Sequence, residues 1–276
     1  MQKAAGCPPV IVIGMHRSGT GMLTRALESL GLFVGRNKDE NHEATFFQNI
    51  NDWLLRQCGG SWDHPSPISH LLGNVEIRAR TAEYIRRTLL KSPRAVSFLG
   101  WTRYAVYRDV ARLNIPWGWK DPRNTFILPL WLDLFPEARI VHIRRHGVDV
   151  ANSLMRRGRA QSAAQKIYNS SRMWHWLRAK RGSFVASPRC DSIRGGYSLW
   201  EEYVQEAEKH VSALRHHAFE VSFEDLIAHP RSVIPHLCRF CGLPDDDYAM
   251  QRVARGFNRD RAFAFQRDSQ PQAFAE

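Results

Sequence analysis

The segment of residues 10–30, VIVIGMHRSGTGMLTRALESL, constrains the fold of this chain more than any other stretch. Its first four residues are apolar and β-branched without alternation, which is typical of a parallel strand buried on both faces. From Thr20 onward apolar residues recur at helical spacing, and Gly31 stands where a left-handed residue ends a helix. Gly14 and Gly19 frame the loop between strand and helix. Its backbone amides and the positive end of the helix dipole predict a site for a phosphate-like anion.

The loop is similar to the P-loop of nucleotide triphosphatases, G-x-x-x-x-G-K-[ST], but lacks its lysine and its metal ligand. Thr20 stands in place of the lysine, and Gly21 in place of the magnesium-binding hydroxyl. Arg17 and Ser18 supply a positive charge and a donor from inside the loop. We therefore expect an anion that reacts without magnesium, and no metal in the site. The alternative is an ordinary tight turn between a strand and a helix.

The net charge of +12, from 39 Lys and Arg against 27 Asp and Glu, fits a polyanionic ligand, an acidic substrate, a nucleic acid or an anionic membrane. The basic residues are scattered and show no helix-turn-helix, zinc-finger or RNA-binding pattern, so we expect no nucleic-acid partner. No apolar run approaches the roughly 18 residues of a membrane span, and residues 1–9 lack the apolar core of a secretory signal. We expect a cytoplasmic protein.

A chain of 276 residues with 43% hydrophobic content supports a packed globule and is near the upper size for one core. We expect a single domain over 1–276, with a core of about 8–245 and a basic C-terminal segment of 246–276. That segment carries arginines at 252, 255, 259, 261 and 267. They would fold over a bound polyanion or form a basic end of the chain.

Five cysteines, at positions 7, 58, 190, 238 and 241, form an odd and dispersed set that does not indicate a disulfide framework. Cys238 and Cys241 have the C-x-x-C spacing, but nothing nearby completes a zinc site. Two small apolar residues on a helix are the simpler interpretation of this pair.

A second chemical cluster lies at residues 117–123, WGWKDPR, where a lysine, an aspartate and an arginine (Arg123) occur within four residues. Pro122 favours a helix start directly after this point. Lys120 and Asp121 would then stand at the carboxyl end of a strand, where open α/β sheets place their ligands. The alternative is a surface salt bridge.

The chain repeats the opening design at residues 139–154, where a short buried strand ends in the basic turn RRHG and a helix follows. This repetition predicts a second anion subsite beside the first. Arg145 and Ser153 lie eight residues apart, so both reach one phosphate only if the helix passes alongside it.

The whole pattern predicts an α/β fold of the P-loop type, with three layers and a central parallel sheet flanked by helices. Short apolar strands at 10–13, 139–143 and 219–223 each lead into a helix through a glycine-bearing or charged turn. Helical periodicity predicts further helices at 46–57, 75–90, 126–135, 197–214 and 233–240. The segment 61–67, SWDHPSP, is typical of a rigid aromatic loop that lines a ligand site or forms a structural turn.

Together these motifs resemble those of sulfotransferases that use 3′-phosphoadenosine-5′-phosphosulfate (PAPS), in particular the bacterial P-loop type. GMHRSGT at 14–20 is similar to the family's 5′-phosphosulfate loop, WKDPR at 119–123 to its second marker, and IRRHGVDVANS at 143–153 to its 3′-phosphate motif. VSFEDL at 221–226 and FCGLP at 240–244 resemble its C-terminal strand and helix. The resemblance implies an enzyme that moves a sulfuryl group from PAPS to a hydroxyl or amine and releases adenosine 3′,5′-bisphosphate (PAP).

The resemblance also implies roles for individual residues. Those expected to bind PAPS are His16, Arg17, Ser18, Gly19, Thr20, Gly21, Arg123, Arg145 and Ser153. Lys120 would donate to the bridging oxygen or to the sulfuryl group. In the 3′-phosphate motif many relatives have an aspartate and a second basic residue where this chain has His146 and Val148.

The catalytic base of such enzymes is a Glu or a His, and in carbohydrate and tyrosyl relatives it is a Glu downstream of the P-loop arginine. Glu43 is the nearest match and our first candidate. His42, Glu40 and the pair at 63–64, Asp-His, compete with it. The alternative role for Glu43 is to cap the helix that follows.

Two other functions fit parts of the pattern. A P-loop kinase or nucleotide hydrolase would share the strand, loop and helix but would depend on magnesium. A non-catalytic protein that binds an anionic polymer would show tight, salt-sensitive binding without turnover. For an enzyme we expect a small-molecule or carbohydrate acceptor, because tryptophan-rich segments suit a sugar or an aromatic ring, although nine tryptophans also fill a core. The sequence does not indicate an oligomeric state.

Overall fold

The computed structural model describes residues 6–169, 187–258 and 261–266, the side chains of 161–169 excepted. In this part of the chain four strands form one parallel sheet: β1 (Val10–Ile13), β2 (Gly118–Lys120), β3 (Arg139–Arg144) and β4 (Ala218–Ser222). The strand order is β2-β1-β3-β4, so the strand that precedes the glycine loop lies between two others. The predicted α/β class with a central parallel sheet is confirmed.

Helices flank this sheet, and those that the sequence predicted lie close to their predicted positions. They are α1 (Thr20–Ser29), α2 (Thr45–Gln57), α3 (Ile68–Gly73), α4 (Val75–Tyr84), α5 (Val96–Tyr107), α6 (Asn124–Leu134), α7 (Gly147–Asn169), α8 (Ile193–Leu214), α9 (Phe223–Ala228), α10 (Pro230–Cys241) and α11 (Asp247–Arg255). The periodic segment predicted as one helix at 75–90 forms α4 and then a π-helical turn at Ile85–Leu90. The strand predicted at 219–223 ends one residue earlier, because Ser222 accepts a hydrogen bond from the Asp225 N–H and so caps α9.

The side chains of β1 alternate between two hydrophobic cores, one on each face of the sheet. Its odd-numbered residues pack into a core with α2, α5 and α6, and its even-numbered residues into a core with α1 and α10. All four residues are at most 1% exposed. Burial on both faces explains why this strand has no polar alternation.

Tryptophans fill the larger of these cores. Trp117, Trp119 and Trp131 are at most 1% exposed, and Phe47 stacks on Trp119 with ring centroids 4.0 Å apart. The buried indole N–H groups have partners: that of Trp119 donates to Asn124 Oδ1 at 3.1 Å, for example. These tryptophans therefore stabilise the sheet end that carries Lys120, and do not offer a surface for a sugar ring.

Cys238 and Cys241 are buried on α10, and burial raises the pKa of the Cys241 thiol to about 12. Nowhere in the described ranges do His, Cys, Asp and Glu side chains gather in a group that could hold a metal ion. None of the described helices combines the length and the apolar character that crossing a bilayer requires.

Candidate active site

A cavity of about 320 Å³ opens at the carboxyl edge of the sheet, beyond the ends of β1, β2 and β3. Many of the predicted site residues line it: His16, Arg17, Gly19, Thr20, Gly21, Glu43, Lys120 and Arg145. Further residues complete the wall, namely Met22, Arg25, Glu40, Asn41, Pro122, Arg157, Phe223 and Arg261. Arginine and lysine outnumber glutamate in this wall, so the cavity suits an anionic ligand.

The loop after β1 has a backbone that only glycine adopts easily at two positions. Gly14 has φ 132°, and its N–H donates to Thr125 Oγ1 at 3.1 Å. Gly19 has φ 91°, and a Cβ there would lie 2.3 Å from the Phe223 ring. α1 begins at the next residue, and no side chain caps its first amide groups. Thr20 and Gly21 line the cavity, so these amide groups lie next to it. Such a helix start binds anions through its N–H groups and its dipole.

Ser18 occupies a different position from the rest of the loop. It is 1% exposed and lies outside the described cavity wall, and its N–H donates to the Met15 carbonyl oxygen at 3.2 Å. The structure therefore places Ser18 beneath the loop, where it supports the backbone.

The predicted second anion subsite adjoins the first. Arg17 Nε donates to Ser153 Oγ at 2.8 Å, and Arg145 Nη1 donates to the Arg17 carbonyl oxygen at 3.4 Å. Burial, together with the positive charges of Arg157, Arg145 and Arg261, lowers the pKa of Arg17. Several guanidinium groups thus crowd one region, and a multiply charged anion would relieve their repulsion.

Arg145 is held from several sides. Its Nη2 donates to Asp149 Oδ2 at 3.0 Å and to the Arg261 carbonyl oxygen at 2.8 Å. Its guanidinium stands over the Phe223 ring, 4.5 Å from the centroid. Within the described ranges its buried Nε has no hydrogen-bond partner, so one donor is unused.

Lys120 and Glu43 form a buried ion pair in the cavity wall. Lys120 Nζ lies 3.0 Å from Glu43 Oε1 and donates to the Asn41 carbonyl oxygen at 2.7 Å, and the two side chains are only 2% and 5% exposed. An ammonium has three N–H donors, and the described residues occupy two of them, which leaves one for a ligand. A Cβ at Gly21 would lie 2.8 Å from the same Asn41 oxygen. Gly21 therefore lets the loop at 39–43 approach the start of α1.

The other candidates for a base lie in less suitable places. His42 has φ 63°, and its Nε2 lies 2.8 Å from Glu28 Oε2 on α1. His64 pairs with Ser61 through backbone hydrogen bonds. Both histidines lie outside the cavity wall that the described residues form, whereas Glu40 lines it as an exposed side chain. Among these candidates, only Glu43 combines burial, a place in the wall and a cationic partner.

The Arg123 side chain contacts other protein groups and does not line the cavity. Its Nη1 donates to Asp121 Oδ2 at 3.2 Å and to the Gln48 carbonyl oxygen at 3.3 Å. Burial raises the pKa of Asp121 to about 6 although Arg123 opposes the shift, and the negative charge of Glu43 adds to it. Arg123 therefore connects the end of β2 to α2, and it lies outside the described cavity wall.

His16 stands edge-on to Trp62, with ring centroids 4.9 Å apart. Burial and the positive charges around it, that of Arg123 foremost, hold the pKa of His16 well below its ordinary value. The imidazole is therefore neutral at neutral pH, and its buried Nε2 has no partner among the described side chains.

Sequence reasoning missed two basic residues of the wall. Arg25 lies four residues after Gly21 on α1, and Arg157 four residues after Ser153 on α7. Extending each predicted site by one helical turn could have found both, because residues at that spacing share a helix face. Arg261 of the basic C-terminal segment also lines the cavity, while positions 259 and 267 lie outside the described residues.

The model of a sulfotransferase family matches residues 8–247. The sulfotransferase domain from the olefin synthase of Synechococcus PCC 7002 is similar in structure, with a TM-score of 0.50 and 16% identity over 99% of this chain and 92% of that chain. The sulfotransferase domain from the curacin biosynthetic pathway has a TM-score of 0.48 and 16% identity, over 93% of this chain and 80% of that chain. A sulfotransferase from Alicyclobacillus acidocaldarius has a TM-score of 0.45 and 16% identity, over 94% of this chain and 96% of that chain. No curated protein matches.

Proposed function

The chain belongs to the sulfotransferase family, and we propose that it transfers a sulfuryl group from PAPS to a hydroxyl or amine of a small-molecule or carbohydrate acceptor. The observation that carries this proposal is the convergence of the glycine loop, Lys120, Glu43 and Arg145 on one cavity. These groups come from the ends of neighbouring strands and from the loop before α2, and they match the chemical needs of the reaction.

The residues present fit a donor with two anionic ends. Arg17 and the amide groups at the start of α1 would hold the 5′-phosphosulfate, and Arg145 with Ser153 would hold the 3′-phosphate. The hydrogen bond of 2.8 Å between Arg17 and Ser153 makes the two subsites neighbours, as one nucleotide requires. The Nε of Arg145, which has no hydrogen-bond partner among the described residues, adds to this fit.

The chemistry assigns a role to each side of the cavity. PAPS, when bound, supplies the sulfuryl group, whose sulfur–oxygen bond to phosphate breaks as a bond to the acceptor forms. Glu43 would take the proton that the acceptor hydroxyl or amine gives up. Lys120 would donate its free N–H to the bridging oxygen or to the sulfuryl oxygens, and Arg17 would balance the charge that grows on the phosphate. PAP is then the second product.

A thermal-shift series with PAP, with ATP plus magnesium, and with NAD tests the ligand class. We expect stabilisation by PAP alone, of about 2.7 kcal/mol at a concentration 100 times the Kd. Release of PAP from PAPS then tests transfer itself. Stabilisation by ATP with magnesium and none by PAP would overturn the proposal in favour of a kinase or nucleotide hydrolase.

A further inference from the structure

The side-chain amide of Gln48 on α2 lies between two carboxylates. Its Nε2 donates to Glu43 Oε2 at 2.9 Å and to Asp39 Oδ2 at 3.2 Å. An ionised carboxylate only accepts hydrogen bonds, so the NH₂ group of Gln48 must face both neighbours and its oxygen must point away. The two carboxylates together fix the orientation of this amide.

Glu43 is in turn held at both of its oxygens. Oε1 pairs with Lys120 Nζ at 3.0 Å, and Oε2 accepts from Gln48. Each carboxylate oxygen has room for a second donor, so Glu43 can accept a proton from an acceptor hydroxyl without losing either contact. Contacts on both oxygens also prevent rotation of the carboxylate away from the cavity.

Gln48 further links three segments of the site. Its backbone carbonyl oxygen accepts a hydrogen bond from Arg123 Nη1 at 3.3 Å, which ties α2 to the end of β2. Its amide reaches Asp39, whose Oδ1 accepts the N–H groups of Asn41 at 2.9 Å and of Glu43 at 2.8 Å. The loop that carries the base, the helix after it and the strand end that carries Lys120 thus meet at one glutamine.

We propose that Gln48 is a positioning residue, which holds the Glu43 carboxylate in the orientation that receives the proton of the acceptor. This inference rests on the proposed function, because it takes Glu43 as the base. Misplacement of a reacting group by about 1 Å costs roughly 10²-fold in rate, so loss of this contact has a measurable effect.

The first test compares Gln48→Met, which keeps the length of the side chain but removes the donor, with Gln57→Met at an exposed position of the same helix. The probe is PAPS alone, with water as the acceptor and PAP release as the signal. We expect kcat to fall by about 10- to 100-fold in Gln48→Met. The kcat of Gln57→Met should equal that of the wild type. Calorimetry should give the same Kd for PAP in the wild type and in both variants.

The second test is a double-mutant cycle with Glu43→Gln. If Gln48 acts through Glu43, then Gln48→Met causes no further loss once the carboxylate is gone, whereas a merely structural role adds its own loss. Gln48→Asn, which keeps the amide but shortens its reach, should reproduce the kcat loss and covers the case that Gln48→Met does not fold. Failure of both variants to fold would make Gln48 structural and overturn the inference.

The outcomes separate this inference from the function on which it rests. A wild-type protein that does not bind PAP contradicts the proposed function and the inference with it. If the wild type turns over PAPS, two results overturn the inference alone. One is a kcat of Gln48→Met equal to that of Gln57→Met, and the other is a loss of kcat in Gln48→Met that adds to the loss in Glu43→Gln.

Discussion

Arg17 Nε donates a hydrogen bond to Ser153 Oγ at 2.8 Å across 136 residues of sequence. The contact joins the loop after β1 to the helix after β3, and these two strands are neighbours in the sheet. A strand order that places β1 beside β3 therefore turns two separate strand–turn–helix units into one continuous basic wall. The sequence predicts each unit, but only the sheet brings them together.

Replacement of Arg145 by Ala should weaken the binding of PAP. The loss of a charged hydrogen bond to the 3′-phosphate costs about 1.5–3 kcal/mol, or roughly 10- to 100-fold in Kd. Calorimetric titration with PAP and with adenosine 5′-monophosphate, which lacks the 3′-phosphate, measures the discrimination between them. It should shrink in Arg145→Ala.

The matched control for this prediction is Arg56→Ala on α2, whose side chain is 73% exposed and pairs only with Asp52 among the described residues. It should bind both nucleotides as the wild type does. A protein with Arg145→Ala that still prefers PAP as strongly as the wild type would contradict the assignment of Arg145 to the 3′-phosphate.

Replacement of Gly21 by Ala should disturb the loop that carries Glu43. The new Cβ would lie 2.8 Å from the Asn41 carbonyl oxygen, which is backbone and also accepts the Lys120 hydrogen bond. Overpacking of this kind costs about 1–3 kcal/mol, and the shift of Asn41 should also lower the rate of PAPS turnover. Urea unfolding and PAP release measure the two effects.

Gly73→Ala is the control for this substitution, because no atom lies within 4 Å of a Cβ at that position. Its stability and activity should stay close to those of the wild type. If Gly21→Ala is as stable and as active as Gly73→Ala, the prediction is wrong, and the close approach of Asn41 to Gly21 matters neither for stability nor for activity.

The local parts of the fold follow from the sequence because their causes are local. An apolar β-branched run gives β1, glycines with positive φ shape the loop, and Gly31 with φ 107° follows α1 as its spacing predicts. Helical spacing from Ser153 puts Arg157 on the same face of α7, but that spacing does not by itself place the side chain in a site. Only the packing of α7 beside the glycine loop gives it a place in the cavity wall.

The choice between His42 and Glu43 could not be made from the sequence for a related reason. Asp39 accepts the Glu43 N–H, and His42 takes φ 63°, so neighbouring side chains leave the loop in different directions. His42 reaches Glu28 and Glu43 reaches Lys120, which is 77 residues away in sequence. A single left-handed residue sets this register, and its φ depends on contacts that no local pattern reveals.

Asp121 should make the stability of the protein depend on pH between about 4 and 6. Burial raises its pKa from 3.8 to about 6, so in this range the folded state binds a proton that the unfolded state does not. The free energy of unfolding therefore decreases through this group as the pH rises from about 4 through 6, by about 3 kcal/mol at most, and levels off about one pH unit above 6.

Urea unfolding of the wild type and of Asp121→Asn at pH 4, 5, 6 and 7 isolates this contribution, because all other groups titrate in both proteins. The stability of the wild type relative to the variant should fall across the range. A difference that stays constant, or that grows as the pH rises, would contradict a proton held by Asp121.

Replacement of Glu43 by Gln should abolish most of the turnover while the donor still binds. The amide keeps the shape of the side chain and its contact with Lys120, but it cannot take a proton from the acceptor. We expect the rate of PAP release from PAPS to fall by ~10²–10⁴-fold, with the Kd for PAP unchanged. Kinetics and calorimetry on the same preparation give both numbers.

Three further variants decide the assignment against its competitors: His42→Ala, His64→Ala and Glu40→Gln. His42 contacts Glu28 and His64 pairs with Ser61, so neither histidine should matter as much as Glu43, and Glu40 is an exposed residue of the same wall. Near-wild-type turnover in Glu43→Gln, together with a large loss in one of these three, would move the role of the base to that residue. A loss of PAP binding in Glu43→Gln would instead show that the buried pair with Lys120 holds the cavity in shape, since removal of one charge leaves the other buried without a partner.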